Sequence, residues 1–231
     1  MERIPEPELM KKKEQVISYD EADFSEGEFN LVNQISHYLL RKKISLNEKD
    51  LIVDLGCGPG NISEKLAIKW PNTEVVGIDG SKEMILRAEN NKEISKNKRN
   101  LKNLRYICSD IKDIKLTDFL LKKEISLLVS NSLIHHITHL EDFFNTIRSL
   151  SSNSTVNFHK DLKRPLDEKT ALELKSQCST KYNKILTNDY YASLKASYTF
   201  KELKNFTLDN DLSSLEVFED GENYLIVYGN V

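Results

Sequence analysis

The rhythm of apolar and polar positions changes near residue 50. Upstream it is helical: Phe29, Val32, Ile35 and Leu39 recur every three or four residues and predict a helix over 26–43. Before that helix, ISYDEADFSEGEF mixes aromatics with acids and reads as a short helix and a turn. From Leu51 onward, short unbroken apolar runs alternate with amphipathic segments. Strands are expected at Leu51–Leu55, Thr73–Ile78, Leu104–Cys108, Ile125–Ser130 and Thr155–Phe158. Between them, helices are expected at Asn61–Trp70, stopped by Pro71-Asn72, and from Lys82 behind Ser81 as its cap. Ile111–Leu121 reads as loop and helix, and His139–Leu150 as a helix. Strands that are apolar at every position are covered on both faces, which predicts a parallel α/β sheet. The tail differs. Asp167–Cys178 and Asn188–Phe206 read as helices, and Leu215–Phe218 and Tyr224–Tyr228 flank EDGEN, a hairpin signal. The sheet is therefore expected to end in an antiparallel pair.

Composition narrows the class without changing this picture. A chain of 231 residues with 39% hydrophobic content can bury one sizeable core, so one domain is expected. The net charge of −3 argues against a globally basic chain that coats nucleic acid. Cys57, Cys108 and Cys178 are odd in number and form no CxxC pair, which argues against a disulfide framework and a structural zinc site. MERIPEPELMKKKEQ carries no apolar h-region, and no run approaches a membrane span. The expected setting is the reducing cytoplasm, with no membrane partner.

Candidate chemistry starts at LIVDLGCGPGN, Leu51 to Asn61, where a buried strand runs into Gly56, Gly58 and Gly60. In an open α/β sheet, ligands lie beyond the carboxyl ends of the strands, where the strand order reverses. Glycine lets a ligand lie against the main chain, and a helix starting near Asn61 offers free N–H groups and a positive dipole end. A dinucleotide fingerprint needs glycine where Asn61 stands. Asp54, on the strand, aims a carboxylate at the site, which suits a cation better than a pyrophosphate. That points away from NAD and towards S-adenosylmethionine, which carries an ammonium and a sulfonium. Asp79 ends the second strand in EVVGIDGS, 21 residues after Gly58 (79 − 58), where a carboxylate can accept from ribose hydroxyls. Asp110, in YICSDI, is placed to accept from an adenine amino group or to cap the next helix, while Ser109 and Ile111 offer main-chain and apolar contacts to the ring.

At these residues the chain resembles the class I S-adenosylmethionine-dependent methyltransferases, over about 45–160 in motif order. VDLGCGPG is similar to the family's glycine motif, GIDGSKEMI to its ribose-acid motif, ICSDI to its adenine motif and LLVSNSLIHHI to its fourth-strand motif. The resemblance implies a Rossmann-like, doubly wound, mostly parallel seven-stranded sheet with a C-terminal antiparallel hairpin. It implies that Asp54, Gly56, Gly58, Gly60, Asp79, Asp110 and Asn131 line the cofactor site, with Gly80 and Met84 along the adenine. Cys57, Asn61 and Ser81 lie inside the same motifs and are assigned with them. Residues 46–231 would form the cofactor-binding domain and 1–45 a helical lid or extension, with Tyr19 contacting the cofactor and Phe24 the acceptor. S-adenosylhomocysteine would be the product. Two departures stand out. LSSNST replaces the family's Lys-Pro-Gly-Gly turn, and no Pro-Pro-aromatic follows Asn131, which lowers the standing of nucleobase amino groups as acceptors.

The acceptor side is less specific. His135 and His136 follow the fourth strand and are the candidate catalytic pair, as base or as orienting groups. No carboxylate or cysteine nearby in sequence completes a ligand set with them, so no metal is expected. NFHKDLKRP, after the fifth strand, supplies Asp161 and Arg164, the latter a candidate clamp for a carboxylate or phosphate. Tyr190 and Tyr191 are candidates for a covering helix. The basic run Lys92–Arg105 suits RNA phosphates but lacks interleaved aromatics, so a small-molecule acceptor ranks above nucleic acid. Three readings stay open: a small-molecule methyltransferase, an RNA methyltransferase, and a non-catalytic module that binds the cofactor or its product. The oligomeric state is not encoded legibly.

Overall fold

Leu51, Ile52, Val53 and Leu55 are all fully buried, as expected for a strand with neighbours on both edges and helices on both faces. They belong to β1 (Asp50–Leu55) in a computed structural model that describes residues 1–7, 10, 12–96, 101–114 and 123–231. Two helices precede it, α1 (Lys13–Asp20) and α2 (Ser25–Arg41). After it come α3 (Asn61–Lys69), β2 (Glu74–Asp79), α4 (Lys82–Lys96), β3 (Leu104–Cys108), β4 (Glu124–Asn131), α5 (Leu140–Leu150) and β5 (Val156–Leu162). The chain closes with α6 (Glu168–Ser179), α7 (Lys184–Ala196), α8 (Phe200–Asp209) and the hairpin β6 (Leu215–Asp220) and β7 (Tyr224–Gly229).

The sheet has seven strands in the order β3-β2-β1-β4-β5-β7-β6. β1 to β5 are parallel, and β7 runs antiparallel to both β5 and β6. This is the Rossmann-like sheet with its terminal hairpin. Strand order reverses between β1 and β4, so the loops leaving them part there and open a crevice. One apolar layer packs α2 and α3 on the sheet through Leu31, Ile35, Leu66 and Ala67; the other packs α5 and α8 through Phe143, Phe144, Ile147 and Leu203. No helix among the described residues is long and apolar enough to cross a membrane.

Several expectations need correction. On α2 the buried stripe is Leu31, Val32, Ile35, Tyr38 and Leu39, whereas Phe29 is exposed under the Lys65 ammonium. The segment expected as one helix over 188–206 is two. Ser197 to Thr199 break it, and Thr199 with Glu202 forms a capping box that starts α8. β5 runs to Leu162, well past Phe158, because β7 pairs with it as far as Leu162↔Tyr224. Asp161 therefore sits inside a strand rather than in a loop. Of Ile111–Leu121, a 3₁₀ turn spans Ile111–Asp113 and the part from 115 onward lies outside the described residues, as do 97–100 of the basic run.

Phe143 is fully buried, edge-on to Phe144 at 5.3 Å and to the His159 ring at 5.0 Å. Truncating a ring in such a position leaves a cavity. Phe143→Ala is expected to lower unfolding stability by about 3–5 kcal/mol, read as a shifted urea midpoint at unchanged m-value.

Candidate functional site

The glycine loop is tied at its start to its neighbour strand by backbone bonds. The N–H groups of Gly56 and Cys57 both donate to the Ile78 carbonyl, at 2.8 and 3.1 Å. Gly58 has φ +53°, and a Cβ built on it would meet nothing within 4 Å, so its backbone faces open space. Gly60 has φ +91° and stands at the start of α3, where a Cβ would lie 2.2 Å from the Tyr106 hydroxyl. The same ring explains Gly77 in the middle of β2, where a Cβ would lie 2.6 Å from Tyr106 Cδ1.

Two acids flank this loop. The Asp79 carboxylate accepts from the Gly58 N–H at 2.9 Å and the Ser81 N–H at 2.7 Å. Burial raises its pKa against the pull of those two bonds. Asp54 is 1% exposed and accepts from the Ser63 hydroxyl at 2.6 Å. Burial pushes it up to about 7, and the Ser63 bond only partly opposes this. A carboxyl kept this dry beside an open cavity lacks a positive partner. Asp110 caps the 3₁₀ turn, accepting from the Lys112 N–H at 3.0 Å, and also lines the cavity.

The cavity above these loops measures about 1010 Å³. Its cover comes from both ends of the chain. α1 is fastened to α4 through Asp20, which accepts from Arg87 and Asn91, and to α7 through Gln15 and Asp189, 3.0 Å apart. Glu28 on α2 accepts from Asn61 at 2.8 Å, joining the cover to the first residue of α3. Tyr19, Phe24 and Tyr182 stack in series, with ring centroids 5.0 and 5.4 Å apart. Upstream of α1, the Arg3 guanidinium lies 4.0 Å over the Tyr198 ring and donates to the carbonyls of Ala196 at 2.6 Å and Ile137 at 2.8 Å. The Ile4 N–H donates to the Lys195 carbonyl at 3.0 Å.

That strap carries Glu6 to the two histidines. His135 is 3% exposed; its Nδ1 lies 2.5 Å from Asp161 Oδ1, and Asp161 also accepts from the Ile134 N–H. Glu6 Oε1 lies 3.5 Å from His135 Nε2 and 3.5 Å from His136 Nδ1, and accepts from Ser193 at 2.9 Å. Burial disfavours charge on His135, but Asp161 and then Glu6 outweigh it and raise its pKa. Burial, followed by the neighbouring His135, pushes His136 down to about 3. No local spacing announces Glu6, since Glu2, Glu6 and Glu8 share a polar segment with Pro5 and Pro7 and nothing there sets one apart.

Of the residues assigned from sequence, Gly60, Ser81, Ser109, Asp161, Arg164 and Tyr191 do not line the cavity; the others do. Arg164 is buried, donating to Glu202 at 2.6 Å and to the Ser197 carbonyl at 3.1 Å, so it holds the start of α8 rather than a ligand. Tyr191 points away from the cavity, bonded to Glu168 between the Lys175 and Lys195 ammonium groups. Asp161 acts on the cavity only through His135. The Ser109 hydroxyl turns to the Asp110 carbonyl at 3.1 Å. Gly60 and Ser81 hold the loops from behind.

A parallel sheet whose reversal point carries a glycine loop between two strand-borne acids defines a nucleotide-cofactor α/β domain. The chain belongs to the family described as a methyltransferase domain, whose model matches residues 46–201. It is similar to trans-aconitate 2-methyltransferase of Azoarcus sp. (strain BH72), 45% identical over 49 residues, which are 21% of this chain and 19% of that protein. It is also similar to malonyl-acyl-carrier-protein O-methyltransferase of Bacillus anthracis, 26% identical over 131 residues, 55% of this chain and 43% of that one. The chain thus spans less than half the length of these curated relatives. Among solved structures, the plantazolicin methyltransferase BpumL in complex with SAH superposes with a TM-score of 0.69 at 19% identity, covering 95% of this chain and 90% of that one. A SAM-dependent methyltransferase from Aquifex aeolicus gives 0.62 at 19% identity, covering 95% and 98%. These two likenesses establish the fold.

The two glycines separate stability from binding. Gly58→Ala carries only the positive-φ strain, about 1–2 kcal/mol. Gly60→Ala carries a similar strain plus the collision with Tyr106. Chemical denaturation should therefore rank Gly60→Ala as the less stable variant, with Gly58→Ala folded.

Proposed function

We propose that this chain is an S-adenosylmethionine-dependent methyltransferase that moves a methyl group by direct displacement to a small-molecule acceptor. The observation that carries the reading is the dry, cation-free Asp54 carboxyl beside the bare Gly58 backbone. A pyrophosphate would be repelled there, whereas an ammonium group supplies the missing charge. Asp79 holds the ribose hydroxyls, since each of its oxygens uses one lone pair on the loops and keeps another for a ligand. Met84 and Ile111, both buried at the cavity wall, pack on the adenine, and Asp110 accepts from its amino group. Asn131, at the end of β4, faces the methionine end.

Bound there, S-adenosylmethionine would supply an activated methyl carbon to the acceptor's lone pair, its sulfur keeping the electron pair of the broken carbon–sulfur bond as S-adenosylhomocysteine. The protein's work is alignment and exclusion of water. Residues 1–45 supply the cover over a binding domain formed by 46–231. His135 and His136 mark the acceptor end of the cavity. A volume of about 1010 Å³ shared by the cofactor and its acceptor leaves room for a small molecule rather than a nucleic-acid strand. The relatives named for trans-aconitate and plantazolicin fit a small acid or natural product in outline.

The primary test is transfer of labelled methyl groups into a cell metabolite extract; no labelled product with correctly folded protein would refute the reading. Two binding measurements refine it. Asp79→Ala should weaken S-adenosylhomocysteine binding by tenfold or more in calorimetry, since a charge-assisted hydrogen bond contributes about 1.5–3 kcal/mol. Binding should also depend on pH. Asp54 is neutral below about 7 and ionised above it, and an ammonium prefers the ionised form. Affinity should therefore fall as pH drops from 8 towards 5.5, approaching about tenfold per unit. Asp54→Asn should bind weakly with a flat profile.

A further inference from the structure

Three potential ligand atoms converge at the wall of the cavity. His135 Nδ1 faces the Asp161 carboxylate at 2.5 Å, which fixes a hydrogen there and turns Nε2 towards Glu6. The Pro7 carbonyl accepts from the His136 ring. Nδ1 of that ring is buried and has no hydrogen-bond partner among the described residues, so Nε2 is the donor and Nδ1 the lone pair. Glu6 Oε1 stands 3.5 Å from each of these nitrogens. Such an arrangement favours a positive charge among the three, a proton on His135 Nε2 in the metal-free chain or a metal ion in its place.

We propose that Glu6, His135 and His136 form a binding site for one first-row divalent cation, zinc being the ion its two nitrogens and one oxygen suit best. Tetrahedral bonds of about 2.0–2.2 Å place neighbouring donor atoms roughly 3.3–3.5 Å apart. Two of the three edges have that length already. All three donor atoms lie within 4.8 Å of one another, so the remaining edge closes by a tilt of the His136 ring. Asp161 completes the pattern from behind, as the carboxylate that orients a metal-bound histidine through its far nitrogen. Its bonds to the Ile134 and Leu162 N–H groups, at 2.5 and 2.6 Å, fix it in turn. Ser193 steadies Glu6 at 2.9 Å.

Both histidines line the cavity, so the fourth coordination position opens into it. Three protein ligands with one open position is the form of a reactive rather than a structural zinc site. The bound ion offers a Lewis acid to an oxygen of whatever occupies the acceptor end. The inference needs only Glu6 and the two histidines and does not rest on methyl transfer.

The test uses the full chain stripped with a chelator, without cofactor. Equilibrium dialysis against Zn²⁺ should load one ion per chain, and Co²⁺ should give the visible d–d band of a tetrahedral nitrogen–oxygen site. Glu6→Gln and His136→Ala should each lower Zn²⁺ affinity at least tenfold while circular dichroism stays unchanged. Asp161→Asn should lower it about 10–100-fold. Cys108→Ser, which removes the exposed thiol, should leave it unchanged. Overturning results are a stripped chain that takes up no Zn²⁺, or uptake that Glu6→Gln and His136→Ala leave intact. Intact Zn²⁺ loading without S-adenosylhomocysteine binding would sink the methyltransferase reading and leave the metal site standing.

Discussion

Two N–H groups, those of Gly58 and Ser81, meet on the single carboxylate of Asp79, and the rest of the site is assembled around that junction. The first belongs to the loop after β1 and the second to the loop after β2. One buried acid therefore sets the spacing between the two loops that wall the cofactor end. Strand pairing between β1 and β2 stops at Leu55 and Ile78, and the backbone bonds to the Ile78 carbonyl carry the first loop only as far as Cys57. Asp54, close by, is held by Ser63, and burial raises its pKa against that contact. The two acids differ in surroundings: Asp79 takes one N–H from each loop and joins them, while Asp54 is buried against Ser63.

The cover answers a different constraint. A crevice between diverging loops is open to water by construction, and the β1–β4 reversal cannot close it. Closure comes from segments remote in sequence, α1 and α2 on one side and α6 and α7 on the other, joined by Gln15–Asp189 and the Phe24–Tyr182 ring contact. The same convergence delivers Glu6 to His135 and His136. Enclosure and the assembly of the histidine cluster are thus one structural event.

The sheet and the loops at its reversal point were legible because both are written locally. Unbroken apolar runs announce central strands, and a glycine loop after such a run followed by an acid at the next strand end is a short-range pattern. What was not legible is long-range. Asp161 reads as a loop residue until β7 is seen to extend β5, and Arg164 reads as a free cation until Glu202 is brought beside it by α8. Phe29 has the right spacing for the core face of α2, yet Leu31 and Tyr38 shift the buried stripe around the helix and leave it outside. Gly77 did carry a readable signal, a glycine inside an apolar strand, and the Tyr106 ring lying over it supplies the reason.

The strap that begins at Arg3 is attached differently from the sheet. It is held by hydrogen bonds to the carbonyls of Ile137 and Ala196 and by a ring face, with little apolar burial of its own. Its docking surface includes α7, with Ala196 lying 193 positions beyond Arg3, so the strap settles only once that helix is in place and, lacking a core, is the first part to peel away. Ordinary thermal fluctuation can then bare the histidine pair while every strand stays paired.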